Sequence, residues 1–98
     1  MAGSLSIEWS SAASMHLDNF YNYILNLWSV KEAEKFLDQV QEFENIITKF
    51  PNAFISSKRK TRYRNGLIHK HVSAIYEVRK SKIIIVALID NRSMNKLR

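Results

Sequence analysis

The residues best suited to chemistry lie in the last third of the chain. His69 and His71 are two positions apart, and Asp90-Asn91-Arg92 follows the most apolar stretch, Ile83 to Ile89. An imidazole titrates near neutral pH, so either histidine could take or give a proton. Arg92 could stabilise negative charge developing on a phosphate. Asp90 reads either as part of such a set or as a polar stop that bonds local amides in a turn. A metal site would need a third and a fourth ligand, and His16 is far away on a helix, so no metal is expected.

A second cluster is basic. Lys58, Arg59, Lys60, Arg62, Arg64, His69, Lys70 and His71 place eight cationic or titratable groups in fourteen positions. With only Tyr63 as an aromatic among them, the cluster suits phosphate contact better than base stacking. It suits an acidic protein segment equally well. The plain alternative is a solvated loop and strand edge, where lysines discourage edge-to-edge pairing. Trp9 and Trp28 read as core residues rather than ligand platforms.

These residues need elements to position them. Leu5-Ser6-Ile7-Glu8-Trp9 alternates apolar and polar, which predicts a short strand. Ser10 or Ser11 can cap a helix of roughly residues 11 to 28, whose stripe is Leu17, Phe20, Tyr21, Ile24, Leu27 and Trp28. Ser29-Val30-Lys31-Glu32 is a capping box that opens a second helix. Its stripe is Ala33, Phe36, Leu37, Val40, Phe43, Ile47 and Phe50, and Pro51 ends it. With almost no linker, the two helices form an antiparallel hairpin that needs a sheet to lie on. Residues 52 to 60 lack periodicity and read as a loop. Asn65-Gly66 is a local hairpin signal, but the strand could equally run through it and turn near His69-Lys70. Val72, Ala74, Tyr76 and Val78 share the core parity of the next strand. Arg79 to Lys82 turns into the last strand, 83 to 89. The fold class is α+β: an N-terminal strand, then a helical hairpin on one face of a small antiparallel sheet, with the basic residues on the other face.

Composition bounds the function. The 98 residues make one domain, 1–98, in which residues 1–4 read as an expression scar. A net charge of +6 favours polyanions or an acidic partner. The absence of cysteine excludes disulfides and thiolate metal sites and fits a reducing compartment. The longest apolar run has seven residues, against about 18 needed to span a bilayer, and no signal-peptide pattern is present. A cytoplasmic protein without membrane contact is the expectation. Two glycines cannot build a phosphate loop, and neither a nucleophile elbow nor HExxH occurs, so neither a cofactor nor a small-molecule substrate is expected.

The order Ile7-Glu8-Trp9-Ser10, Tyr23-Ile24, Ala33-Glu34-Lys35-Phe36 and Pro51 resembles the RelE/ParE toxin superfamily of bacterial type II toxin–antitoxin systems. The strand His69 to Val78 and the ending Asp90-Asn91-Arg92-Ser93-Met94-Asn95-Lys96-Leu97 look like a Bacteroidetes-type branch. The likeness covers residues 5 to 97. It implies a helical hairpin on an antiparallel sheet and a growth-arresting toxin neutralised by a cognate antitoxin. Its target would be DNA gyrase, in the ParE manner, or mRNA on the ribosome, in the RelE manner; a third alternative is an inactive member that only binds its antitoxin. The resemblance puts Arg92 where RelE-like nucleases have an active-site arginine. Asp90 and Asn91 fall where relatives keep part of an acid–base set, and His69 or His71 could supply a base. The basic segment 58 to 64 would replace lysines that hold ribosomal RNA. Against a nuclease, Ser73 stands where RelE has its central-strand arginine, and no tyrosine follows Tyr76. The non-nucleolytic reading is therefore preferred.

Overall fold

The computed structural model describes residues 5–56 and 62–92. Along the chain run β1 (Ser6–Trp9), α1 (Ser11–Leu27), α2 (Val30–Lys49), β2 (Ile55–Ser56), β3 (Tyr63–His69), β4 (Val72–Val78) and β5 (Lys82–Asp90). The strands form one sheet in the order β1-β5-β4-β3-β2. β2 to β5 pair antiparallel, and β1 joins the edge of β5 in parallel, from Ser6 opposite Lys82 to Trp9 opposite Ile85. The sheet is therefore mixed rather than wholly antiparallel. Side-chain alternation is the same in both pairing modes, which is why the pattern of β1 cannot show its direction. β2, two residues long, is too short to leave any periodicity.

Both helices begin as their sequences dictate. The Ser10 hydroxyl accepts from the Ala13 amide at 3.0 Å, and the Ser29 hydroxyl accepts from the Glu32 amide at 3.1 Å. Ala33, Phe36, Val40, Phe43 and Ile47 are the buried stripe of α2. Leu17, Phe20 and Ile24 of α1 pack on the same core, whose sheet side is Ile68, Val72, Ala74, Tyr76, Ile83, Ile85 and Leu88. β5 is an interior strand between β1 and β4, which accounts for its nearly unbroken apolar run. The ends of both stripes fall outside the core: Leu27, Trp28 and Phe50 are exposed.

A bulge in β5 sets which way its end faces. Tyr76 pairs with Ile85 and Ile75 with Ala87, so Val86 is the extra residue. Helix α1 takes up the freed backbone groups. The Ser10 hydroxyl donates to the Val86 carbonyl at 2.8 Å, and the Leu88 amide donates to Nδ1 of His16 at 3.2 Å. Ile83 and Ile85 point into the core before the bulge, and Leu88 does so after it. The parity shift brings Asp90 round to the helix side; an unbulged strand would have sent it the other way.

β3 runs straight through Asn65-Gly66, and the chain turns at Lys70-His71 instead. Gly66 does not take a positive φ. It serves close packing: a Cβ there would lie 2.7 Å from Cε1 of Phe43 and 2.8 Å from the Phe54 ring. Arg64, in register with Tyr76, takes the same inward parity. Among the described residues, the sheet face away from the helices does not carry a basic array. By register it presents Asn65, Leu67, Ser73, Ile75, Glu77, Ile84, Ala87 and Ile89, with ion pairs of Lys82 with Glu8 at 2.8 Å and of Arg79 with Glu77 at 3.3 Å.

Candidate functional site

The helix-covered face is open at one end, where α1 passes the end of β5 and the β3–β4 turn. His16, Asn19, Phe20 and Tyr23 of α1 form one wall of a groove of about 360 Å³, with Leu88, Asp90 and Arg92 on the other side. Phe20, Tyr23 and Arg92 also line a tighter recess, continued by Ile24, Trp28, Glu32, His69, His71 and Val72. The Asn91 amide donates to the His71 carbonyl at 2.8 Å and ties the end of β5 to the turn.

Arg92 is held locally. Its backbone amide donates to Oδ1 of Asp90 at 2.9 Å, and its Nε and Nη2 reach the two Asp90 oxygens at 3.3 Å each. Asp90, and after it the Tyr23 hydroxyl, raise the guanidinium above its ordinary pKa by favouring the charged form. The pair is half exposed on the arginine side, so solvent screens it and its contribution to stability is small.

His69 ends β3 and His71 lies in the turn, so the two do not share one face of an unbroken strand. Their rings still come within 6.2 Å of each other, and His69 meets the Phe36 ring edge-on at 5.9 Å. Burial lowers the pKa of His69, and the neighbouring His71 and Lys70 lower it further. Both effects disfavour the charged imidazolium. Its Nδ1 accepts from the His71 amide at 3.4 Å.

The basic cluster divides. Lys70 is exposed at the turn beside the histidines. Arg62 is exposed, its guanidinium 5.1 Å from the centre of the Tyr63 ring. Arg64 turns inward and donates to the Phe54 carbonyl at 2.7 Å, so it closes the opposite end of the core instead of facing a target. Lys58, Arg59 and Lys60 lie outside the described residues. Among the described residues no group of three or more histidine, cysteine or acidic side chains could hold a metal.

Two groove residues escape the sequence reading. Tyr23 reaches Arg92 from α1, and Trp28, expected in the core, is 67% exposed at the rim. The signal for Tyr23 was the spacing of His16, Phe20 and Tyr23, four and three residues apart on one helix face. Trp9 does pack against the core, and its indole donates to Glu44 at 2.7 Å.

The family model for the ParE toxin of the type II toxin–antitoxin system parDE matches residues 7–96. The chain belongs to this family of toxins, within the RelE/ParE superfamily. Among solved structures, the fold is similar to the chromosomal ParDE toxin–antitoxin system of P. aeruginosa, at 21% identity and a TM-score of 0.72, covering 89% of this chain and 96% of that one. It is also similar to the YoeB dimer of Staphylococcus aureus, at 18% identity and a TM-score of 0.56, over 87% and 94% of the chains. The E. coli DinJ–YafQ toxin–antitoxin complex is similar at 9% identity and a TM-score of 0.61, over 93% and 97%. A search of curated proteins returned no match. Among the described residues, no helix is long and apolar enough to cross a membrane.

Proposed function

We propose that the chain is a single-domain cytoplasmic toxin that arrests growth by binding a protein target, DNA gyrase in the ParE manner, without cutting RNA. A cognate antitoxin neutralises it. The observation that carries this reading is a separation. Ser73 stands where the resemblance expects the central-strand arginine of a nuclease, and it is 6% exposed with its parity turned away from the helices. His69, His71 and Arg92 gather on the helix side. The sheet thus divides a RelE-type constellation, and the guanidinium that remains is already matched by Asp90. In this reading Arg92, Asp90, His69 and His71 are contact residues, Lys70 adds positive charge at the adjacent turn, and Lys58, Arg59, Lys60 and Arg62 contribute to the net positive charge that steers the encounter. The test is a supercoiling assay with purified gyrase. Stoichiometric inhibition, with no loss of added RNA, is the expected result; full supercoiling in toxin excess would overturn it.

A ribosome-dependent endoribonuclease is the second reading, and one observation favours it. The groove brings the imidazole of His69, whose charged form burial disfavours, into the same recess as Arg92 and Tyr23. There His69 would take the ribose 2′-hydroxyl proton while Arg92 stabilised the phosphorane-like charge. It requires new mRNA ends on ribosomes that disappear in Arg92→Ala.

A further inference from the structure

Charge is divided along the chain. Seven of its nine acidic residues precede Pro51, and twelve of its fifteen lysines and arginines follow it. The fold turns that division into a direction, because the first half supplies both helices and the second half most of the sheet. Four of the later cations stand at the sheet end away from Arg92. Arg62 immediately precedes β3, Arg79 and Lys80 lie in the β4–β5 turn, and Lys82 opens β5. The length of β5, roughly 27 Å, separates them from Asp90. The Arg79 amide donates to the Lys82 carbonyl at 2.8 Å and closes the turn, and Tyr63 pairs in register with Glu77. The four cations therefore sit on three neighbouring strands, spaced about 4.8 Å apart. Arg62 and Lys80 are exposed. Arg79 and Lys82 are about half exposed and are oriented by Glu77, at 3.3 Å, and Glu8, at 2.8 Å. The strands behind them are locked by Arg64 on the Phe54 carbonyl and Tyr76 on the Pro51 carbonyl.

We propose that this end of the sheet binds the phosphate backbone of duplex DNA, without reading its sequence, while the groove at the other end engages the protein target. The inference rests on the reading that the target is an enzyme working on DNA. A duplex presents phosphates on both strands, so cations spread over three strand ends each find a partner. A single strand fits less well, because it needs open aromatic faces for stacking. The aromatic at this end, Tyr63, already has the Arg62 guanidinium 5.1 Å from its ring centre. An acidic protein segment needs an apolar anchor among the charges, and the tip presents Arg79, Lys80 and Ser81 instead. The helix side sets the orientation. α2 carries five carboxylates against three lysines, and Glu34, Asp38 and Glu42 are exposed on it. Phosphate is disfavoured there, so the duplex approaches the sheet end.

The experiment is a salt titration by fluorescence anisotropy, with the full chain and a labelled 12-base-pair DNA duplex of arbitrary sequence. The logarithm of the binding constant should fall against the logarithm of salt with a slope of about −3 or steeper, a loss of roughly 60-fold or more between 50 and 200 mM. Arg62→Gln and Lys80→Gln should each flatten the slope by about 1. Lys31→Gln, which removes the same charge from α2, should leave it unchanged. Glu8→Gln frees Lys82 and should tighten binding by about two- to fivefold. Thermal melts of each variant establish folding. Four results would overturn the proposal: no binding at 50 mM salt, an unchanged slope in both Arg62→Gln and Lys80→Gln, an equal flattening by Lys31→Gln, or tighter binding of a 12-nucleotide single-stranded RNA or of polyglutamate. Duplex binding is read without gyrase, so its failure leaves the supercoiling assay standing. Full supercoiling with duplex binding intact would strike the reading of the target and leave this site in place.

Discussion

The two ends of the helix-covered sheet face use the same residue types for opposite purposes. At one end Arg64 donates to the Phe54 carbonyl, and Tyr76, fully buried, donates to the Pro51 carbonyl at 2.9 Å. The rings of Phe43, Phe54 and Tyr76 pack edge-on or tilted around them, 5.4 to 6.4 Å apart, and burial holds the Tyr76 phenol above its ordinary pKa. At the other end Arg92 meets Asp90 and the Tyr23 hydroxyl beside an open groove, and the aromatic at its rim, Trp28, is in water. An arginine and a tyrosine lock the fold at the first end, where their partners are backbone carbonyls with nowhere else to go. At the second end the partners are side chains at the mouth of an open groove, and Arg92 is about half exposed.

The comparison can be broken first at the closed end. Gly66→Ala drives a methyl group into Phe43 and Phe54, and overpacking of this kind costs about 1–3 kcal/mol. A thermal melt should show a Tm lower by roughly 10 °C; an unchanged Tm would mean that the ring cluster is looser than described. Next in size, Arg64→Met leaves the Phe54 carbonyl without its donor and should cost about 1–3 kcal/mol, read by urea titration. If Arg64→Met instead abolished toxicity at unchanged stability, Arg64 would belong to the target surface after all.

At the open end the expectation reverses. Arg92→Ala should leave the thermal melt essentially unchanged, as expected for a solvent-screened surface site, yet remove growth arrest. The smallest effect is on pH. His69 is held below its ordinary value of 6.5, so the folded state resists protonation more than the unfolded chain does. Its contribution is complete above the unfolded value and is lost as pH falls through that value toward the folded one. Stability should therefore decline slightly from about pH 7 to pH 5, and less so in His69→Gln.

Much of this arrangement was legible in the sequence. The helical hairpin followed from the caps at Ser10 and Ser29 and from the two apolar stripes, because a cap and a period of 3.6 are local signals. The core parity of Val72, Ala74 and Tyr76 followed in the same way. What stayed hidden depends on neighbours. The bulge at Val86, which turns Asp90 to the helix side, exists because Ser10 and His16 of α1 take up its backbone groups. The true role of Gly66 depends on two phenylalanines distant in the chain, so a dipeptide with a strong turn propensity sits inside a strand. Arg64 looks like Arg62 in composition, but its strand parity aims it inward. Tyr23 was overlooked because its partner, Arg92, lies 69 positions later.

The central claim is that the open end arrests growth by binding and not by cutting. It is tested most directly by mapping mRNA 5′ ends in cells after induction of the wild-type chain and of Arg92→Ala. The account predicts arrest by the wild type with no new ends, and growth of the variant. New in-frame ends in the wild type that vanish in Arg92→Ala would contradict it and establish the nuclease.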